Sequence, residues 1–146
     1  VIWDGDISAM GQLADRARDL ARVPALASLE VAKEIAGLIE DEFASGTDPY
    51  GHAWQELAES TRARGRHDPP LTDTHAMRDS VNVYARSDGR GVALTIDHPA
   101  APHQTGWDGP QGSGPARPVL PAHGMPATWA EAIKVATDRA IDEVLS

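Results

Sequence analysis

Six histidines, His52, His67, His75, His98, His103 and His123, are the side chains of this chain best suited to proton chemistry or metal ligation near neutral pH. The densest group is "DHPAAPH", where Asp97, His98 and His103 fall within one short run. Zinc hydrolases hold their metal with His and carboxylate ligands and keep one position open. Asp97, His98 and His103, with His123 further on, therefore define one candidate, a small metal-dependent hydrolase. Against it, the spacing matches no helical HExxH pattern, and Pro99 and Pro102 should keep the segment extended. The favoured reading of these histidines is the plainer one, bonds to backbone carbonyls or a place on the surface. Nucleophilic catalysis has less support. No Gly-x-Ser-x-Gly elbow occurs, and Ser60, Ser80, Ser87 and Ser113 fall at turns or helix ends without an evident base. The glycines of "GWDGPQGSG" do not lead from a strand into a helix, as a phosphate cradle requires.

Composition narrows the choice further. The chain has 146 residues, enough for one domain with a real core, and it is 41% hydrophobic and 24% charged, as soluble globular chains are. It contains no cysteine, which removes disulfides, thiol catalysis and Cys-based zinc sites. Its formal charge of -9, from 22 acidic and 13 basic residues, repels phosphate backbones and argues against DNA binding. "RARGR", Arg62 to Arg66, is the only locally basic run, and Glu56, Glu59 and Asp68 dilute it into a solvated loop. No apolar run reaches the length of about 20 residues that spans a bilayer, so no membrane partner is expected. The opening "VIWDGDISAM" lacks the basic-then-apolar layout of a secretory signal.

The elements that must position these residues can be read from periodicity. "DISAMGQLADRARDLARV" places Met10, Leu13, Ala17 and Leu20 at helical spacing, predicting a first helix over about 6–22 that Pro24 interrupts. "SLEVAKEIAGLIEDEF" follows with a stripe of Val31, Ile35, Leu38 and Ile39, and "SGTDPYG" stops it. One turn of helix is expected around Trp54 to Glu59. Thr74 is positioned to cap a short helix carrying Met77. "VNVYAR" and "GVALTID", joined through Asp88-Gly89, predict a β-hairpin with one apolar face that needs helix cover and further strand partners, either local or from a neighbouring subunit. The last twenty residues form a closing helix with Trp129, Ile133, Ala136, Ala140 and Val144 in line. Thr128 and Glu131 read there as a capping box. The expected class is α+β: a small antiparallel sheet, built on the hairpin, packed by two to three helices. Residues 1–146 then form a single domain.

Two stretches stand out from this frame. In "DPYGHAW", Asp48 can accept from backbone N–H groups in an Asx turn, Pro49 sets φ, and Gly51 permits positive φ. Trp54 follows, placed to anchor the turn on the core. "PHQTGWDGPQGSGPARPVLP" contains five prolines and four glycines, yet carries His103, Gln104, Trp107 and Arg117. It lies in a Pro/Gly-rich arm over about 99–125.

Four pieces in order, "FASGTDPYGHAWQELAEST", "LTDTHAMRDSV", "HQTG" and "PARPVLP", resemble the virion-morphogenesis or tail-completion proteins of tailed bacteriophages, a group of neck and head–tail joining proteins. The matching positions include Phe43, Asp48, Pro49, Gly51, Trp54, Leu57 and Thr61, then Leu71, Thr74, Arg78 and Ser80. His103, Gln104, Gly106, Pro115, Ala116, Arg117, Pro118 and Leu120 complete the set. The chain departs from the family pattern at His75, Met77 and Val119.

The resemblance implies a non-enzymatic structural protein, without cofactor, that completes the tail or joins tail to head as a homo-oligomeric ring, commonly of six subunits. A tail terminator or head-side adaptor is the alternative. The implied place is the neck or tail end of the virion, after assembly in the host bacterial cytoplasm. The implied partners are further copies of the chain and other neck, connector, tube, terminator or sheath proteins. DNA would pass through the lumen unbound. His103 and Gln104 would pin the base of the arm, Trp107 would supply area to a neighbour, and Arg117 would serve either as an internal clamp or across an interface.

Overall fold

The computed structural model describes residues 8–63, 75–110 and 112–146. Two long antiparallel helices, the second and the last of the chain, form its frame. Helix α1, Ser8–Leu20, is separated by two residues from α2, Val23–Ser45. Pro24 lies in the first turn of α2, where its missing N–H leaves no bond unmade, so it opens the second helix as well as closing off the first. Gly46 ends α2 with φ of 70°, and its N–H and that of Thr47 both donate to the Glu42 carbonyl.

Short helices α3, Glu59–Arg62, and α4, Ala76–Asp79, precede the hairpin of β1, Val81–Ala85, and β2, Val92–Ile96. Antiparallel pairing sets Val81 opposite Ile96, Val83 opposite Leu94 and Ala85 opposite Val92, so the apolar residues share one face as predicted. The turn is held by Asp88, which accepts from the Arg90 N–H, and by Gly89 at φ of 66°. Ser28 on α2 donates to the Pro24 carbonyl at 2.7 Å and lies 3.3 Å from the Gly89 carbonyl, docking the hairpin tip on that helix. Among the described residues the ribbon remains two-stranded, so no local strand completes it.

After the hairpin come α5, Ala101–Thr105, the miniature pair β3, Trp107–Gly109, and β4, Gly112–Gly114, and then α6, Ala127–Leu145. Helix α6 runs antiparallel to α2: Trp129 meets Glu42 at one end, and Arg139 reaches Glu30 and Glu34 at the other. Ala136 and Ala140 are fully buried between them, where small side chains let the two backbones come close. The core joins Val31, Ile35, Ile39 and Phe43 of α2 to Val81, Val119 and Trp129. This is the α+β class expected, with its sheet small and its helices dominant.

Three local expectations are corrected. The turn of helix expected over Trp54 to Glu59 is displaced to Glu59–Arg62, and the backbone from Trp54 to Ala58 is non-helical. The Pro99 to Pro102 segment does not stay extended: α5 starts at Ala101 with Pro102 in its first turn, where proline is tolerated. Thr128 does not cap α6. The helix begins at Ala127 with Pro126 in the cap position, so Thr128 sits inside the first turn and makes no capping bond. Thr74, the expected cap of α4, lies outside the described residues, as do His67 and most of "RARGR". The flanking residue of α4 is His75, with no side-chain cap.

Candidate assembly site

The arm is built around residues 115–120, a strap whose backbone is held from three directions. Trp54 is buried edge-on against Phe43, with ring centroids 5.5 Å apart, and its indole N–H donates to the Pro118 carbonyl at 2.8 Å. Arg117 is 5% exposed and points inward. Its Nε donates to the Gln55 carbonyl at 2.7 Å and its Nη2 to the Glu56 carbonyl at 3.1 Å. These carbonyls are free to accept because the chain there is not helical. In a helix, N–H groups four residues on would occupy them. Of the two roles open to Arg117, the structure adopts the internal clamp.

Gln104 supplies the third hold. Its Oε1 accepts from both the Val119 and Leu120 N–H groups at 3.0 Å, and its Nε2 donates to the Leu120 carbonyl at 2.7 Å. The amide thus imitates a neighbouring strand. His103 contributes through its backbone, whose carbonyl accepts from the Arg117 N–H at 2.7 Å. Its ring stands edge-on to Trp107 at 4.7 Å, and its buried Nδ1 has no partner, so the expected side-chain pin is absent. Burial, with the nearby Arg117 charge, pushes the His103 pKa down and favours the neutral ring.

Gly106 makes the bend between α5 and β3. At φ of 77° and ψ of 170° it occupies a region open essentially to glycine alone, and an added Cβ would lie 2.8 Å from the Gly114 carbonyl oxygen. Trp107 lies over Gly114, where any side chain would collide with the indole, yet it remains 41% exposed.

The "DPYGHAW" turn supports the strap from below. Asp48 Oδ1 accepts from the Tyr50 and His52 N–H groups at 2.9 Å, Pro49 follows in the turn, and Gly51 takes φ of 86°. Tyr50 then donates its hydroxyl to the Gly124 carbonyl and accepts from the His123 N–H, tying down the far end of the arm. Arg78 stands apart from this cluster. It pairs with Glu40 of α2, and its Nε is buried without a partner. Ser80 beside it accepts from the Ala100 N–H and donates to the Met77 carbonyl, joining α4 to the start of the arm.

Glu42 was not singled out from sequence. It is 6% exposed, and its Oε1 accepts from the Trp129 indole N–H at 3.1 Å while Oε2 is buried unpartnered. Burial, partly opposed by the Trp129 bond and reinforced by Asp48 and Asp41, pushes its pKa up to about 8, so it is mostly protonated at neutral pH. The available signal was position: Glu42 falls three residues beyond Ile39 on the buried stripe of α2.

Asp97, His98, His103 and His123 do not converge. Among the described residues no group of three or more His, Asp or Glu side chains is placed to hold a metal ion. Nor is any helix among them long and apolar enough to cross a membrane. No family model, curated protein or solved structure matches the chain.

Proposed function

We propose that this chain is a structural protein of the tailed-bacteriophage virion that completes the tail or joins it to the head, acting without catalysis as one subunit of a homo-oligomeric ring. The observation that carries this reading is the convergence of the motif residues. Trp54, Gln104 and Arg117, from three separate stretches, meet on one strap and give their polar side-chain atoms to backbone groups. Such side chains hold a shape rather than transform a substrate. The shape they hold presents a short projecting hairpin with a half-covered tryptophan, the kind of aromatic anchor a neighbouring chain can bury. A closed ring needs two different surfaces on each subunit. The exposed β3–β4 tip and the edges of the β1–β2 ribbon, which pair with no other strand among the described residues, are suited to subunit contacts, and the net negative charge lets DNA pass unbound. A terminator or head-side adaptor role would use the same surfaces at a different level of the particle.

Disrupting the gene in its phage should leave heads and tails that fail to join, and supplying the chain in trans should restore infectious particles. A supplied chain lacking residues 108–113 should fold but fail to restore them. Normal particles without the chain refute the role, and full rescue by the shortened chain refutes the contribution of the tip.

A further inference from the structure

A cavity of about 420 Å³ opens where the last turns of α2 and the "DPYGHAW" turn meet the first turn of α6. Asp41, Glu42 and Asp48 line it, together with Leu38, Tyr50 and Trp129. Three carboxyl groups therefore share one small space, and no Lys or Arg is among its lining residues. Asp41 forms no ion pair among the described residues, and Asp48 meets only backbone N–H groups of its own turn and the exposed His52 ring. The two helix ends that meet here carry opposite partial charges, so the backbone favours neither sign and the side chains decide it.

Glu42 is an independent sign that the space takes a ligand. It is 6% exposed, its Oε1 is satisfied by the Trp129 indole, and its Oε2 is buried with no partner. An orphaned polar atom at such depth is costly and calls for a group that completes it. The repulsion that Asp48 and Asp41 exert on Glu42 sets its carboxyl beside theirs. A metal ion does not fit, because among the described residues no three His, Asp or Glu groups converge closely enough to hold one. A larger organic cation can span them. Leu38, Tyr50 and Trp129 add apolar and aromatic wall, which suits a methylene stem below a charged head.

We propose that this cavity binds a primary alkylammonium group, as a free amine or as a lysine side chain, with the ammonium among Asp41, Glu42 and Asp48 and the stem against Leu38, Tyr50 and Trp129. The ammonium keeps its three protons, and Glu42 gives up its own to solvent, so that a carboxylate meets the cation. Asp41 from α2 and Asp48 from the turn face Glu42, with His52 beyond Asp48, while α6 contributes Trp129 and uncharged residues to the cavity. The site is independent of the assembly reading and stands or falls without it.

The test titrates n-butylammonium into the full chain at about pH 7, with calorimetry in two buffers of different ionisation enthalpy and the Trp129 indole N–H followed by NMR. The expected result is saturable binding that shifts this resonance and releases about one proton per cation, since Glu42 is mostly protonated beforehand. Asp41→Asn should weaken binding by about tenfold and keep the proton release. Glu42→Gln, which retains an acceptor for Trp129, should weaken it as much and abolish the release. n-Butanol, with the same stem and no charge, should leave the resonance unmoved. A parallel titration with Nα-acetyl-lysine amide separates the sources: tighter binding than n-butylammonium assigns the site to a lysine side chain, weaker binding to a free amine. Absence of saturable binding, an equal shift from n-butanol, unchanged affinity in both variants, or tighter binding of calcium would each overturn the amine site.

Discussion

Replacing Gln104 with alanine removes three bonds to the strap at once, two accepted by Oε1 at 3.0 Å and one donated by Nε2 at 2.7 Å. Val119 is fully buried, so its N–H cannot recover a partner from water without the core opening. A buried donor left unmade costs about 1–3 kcal/mol. Leu120 is only half-buried, and its N–H and carbonyl can be wetted, so each lost bond costs about 0.5–1.5 kcal/mol. The expected loss is therefore about 2–6 kcal/mol, a large part of a total stability of about 5–15 kcal/mol. Urea unfolding followed by tryptophan fluorescence would register a midpoint lower by about 1.5 M with unchanged slope. Gln104→Glu separates the three bonds. It keeps both accepting contacts but sets a carboxylate against the Leu120 carbonyl. It should be destabilised at neutral pH and recover in acid, where the protonated carboxyl can donate again. A loss under about 0.5 kcal/mol for Gln104→Ala, or no acid recovery for Gln104→Glu, would refute the strap clamp.

Glu42 is shifted in the opposite direction to a paired surface carboxylate, because burial raises its pKa. Its pKa is about 8 in the fold against an ordinary 4.5, so between these values the folded state holds the extra proton. Its contribution is fully present below about pH 4.5 and is lost as pH rises through about 8. Wild-type urea midpoints should fall from pH 5.5 to pH 8.5 by more than those of Glu42→Gln, and equal falls would contradict the buried acid. Gly106→Ala should lower stability by about 1–3 kcal/mol or more through its positive φ and its approach to the Gly114 carbonyl. Gly109→Ala, with nothing within 4 Å of the new methyl, should be near neutral in the same urea unfolding, and comparable losses would contradict the assigned backbone strain.

Long-period features were the legible ones. The stripes of α2 and α6 and the Asp88-Gly89 hairpin each depend on local repetition, and each is found where periodicity places it. The Asx turn at Asp48 was legible because its chemistry is complete within five residues. Contacts made across long sequence separations were not. Trp54 to Glu56 contains good helix formers, yet its carbonyls are needed by Arg117, 62 positions from Gln55. That tertiary demand outweighs propensity. Gln104 could be marked as important but not as a substitute strand, since its three partners lie 15 and 16 residues on. The Thr128–Glu131 pattern satisfied the local rule for a cap while Pro126 began the helix earlier. Glu42 escaped notice because an acid among Glu40 and Asp41 reads as solvated until its burial is known.

As proposed above, the chain is a built-in part of a phage particle. If the chain is encoded by a phage, as proposed, cryo-electron microscopy of that phage's purified particles tests the proposal most directly. The account predicts a ring of this fold at the head–tail junction or tail end, with the Trp107 tip of each subunit covered by an adjacent chain. Particles that lack the protein altogether, or that carry it with the Trp107 tip facing solvent, would contradict it.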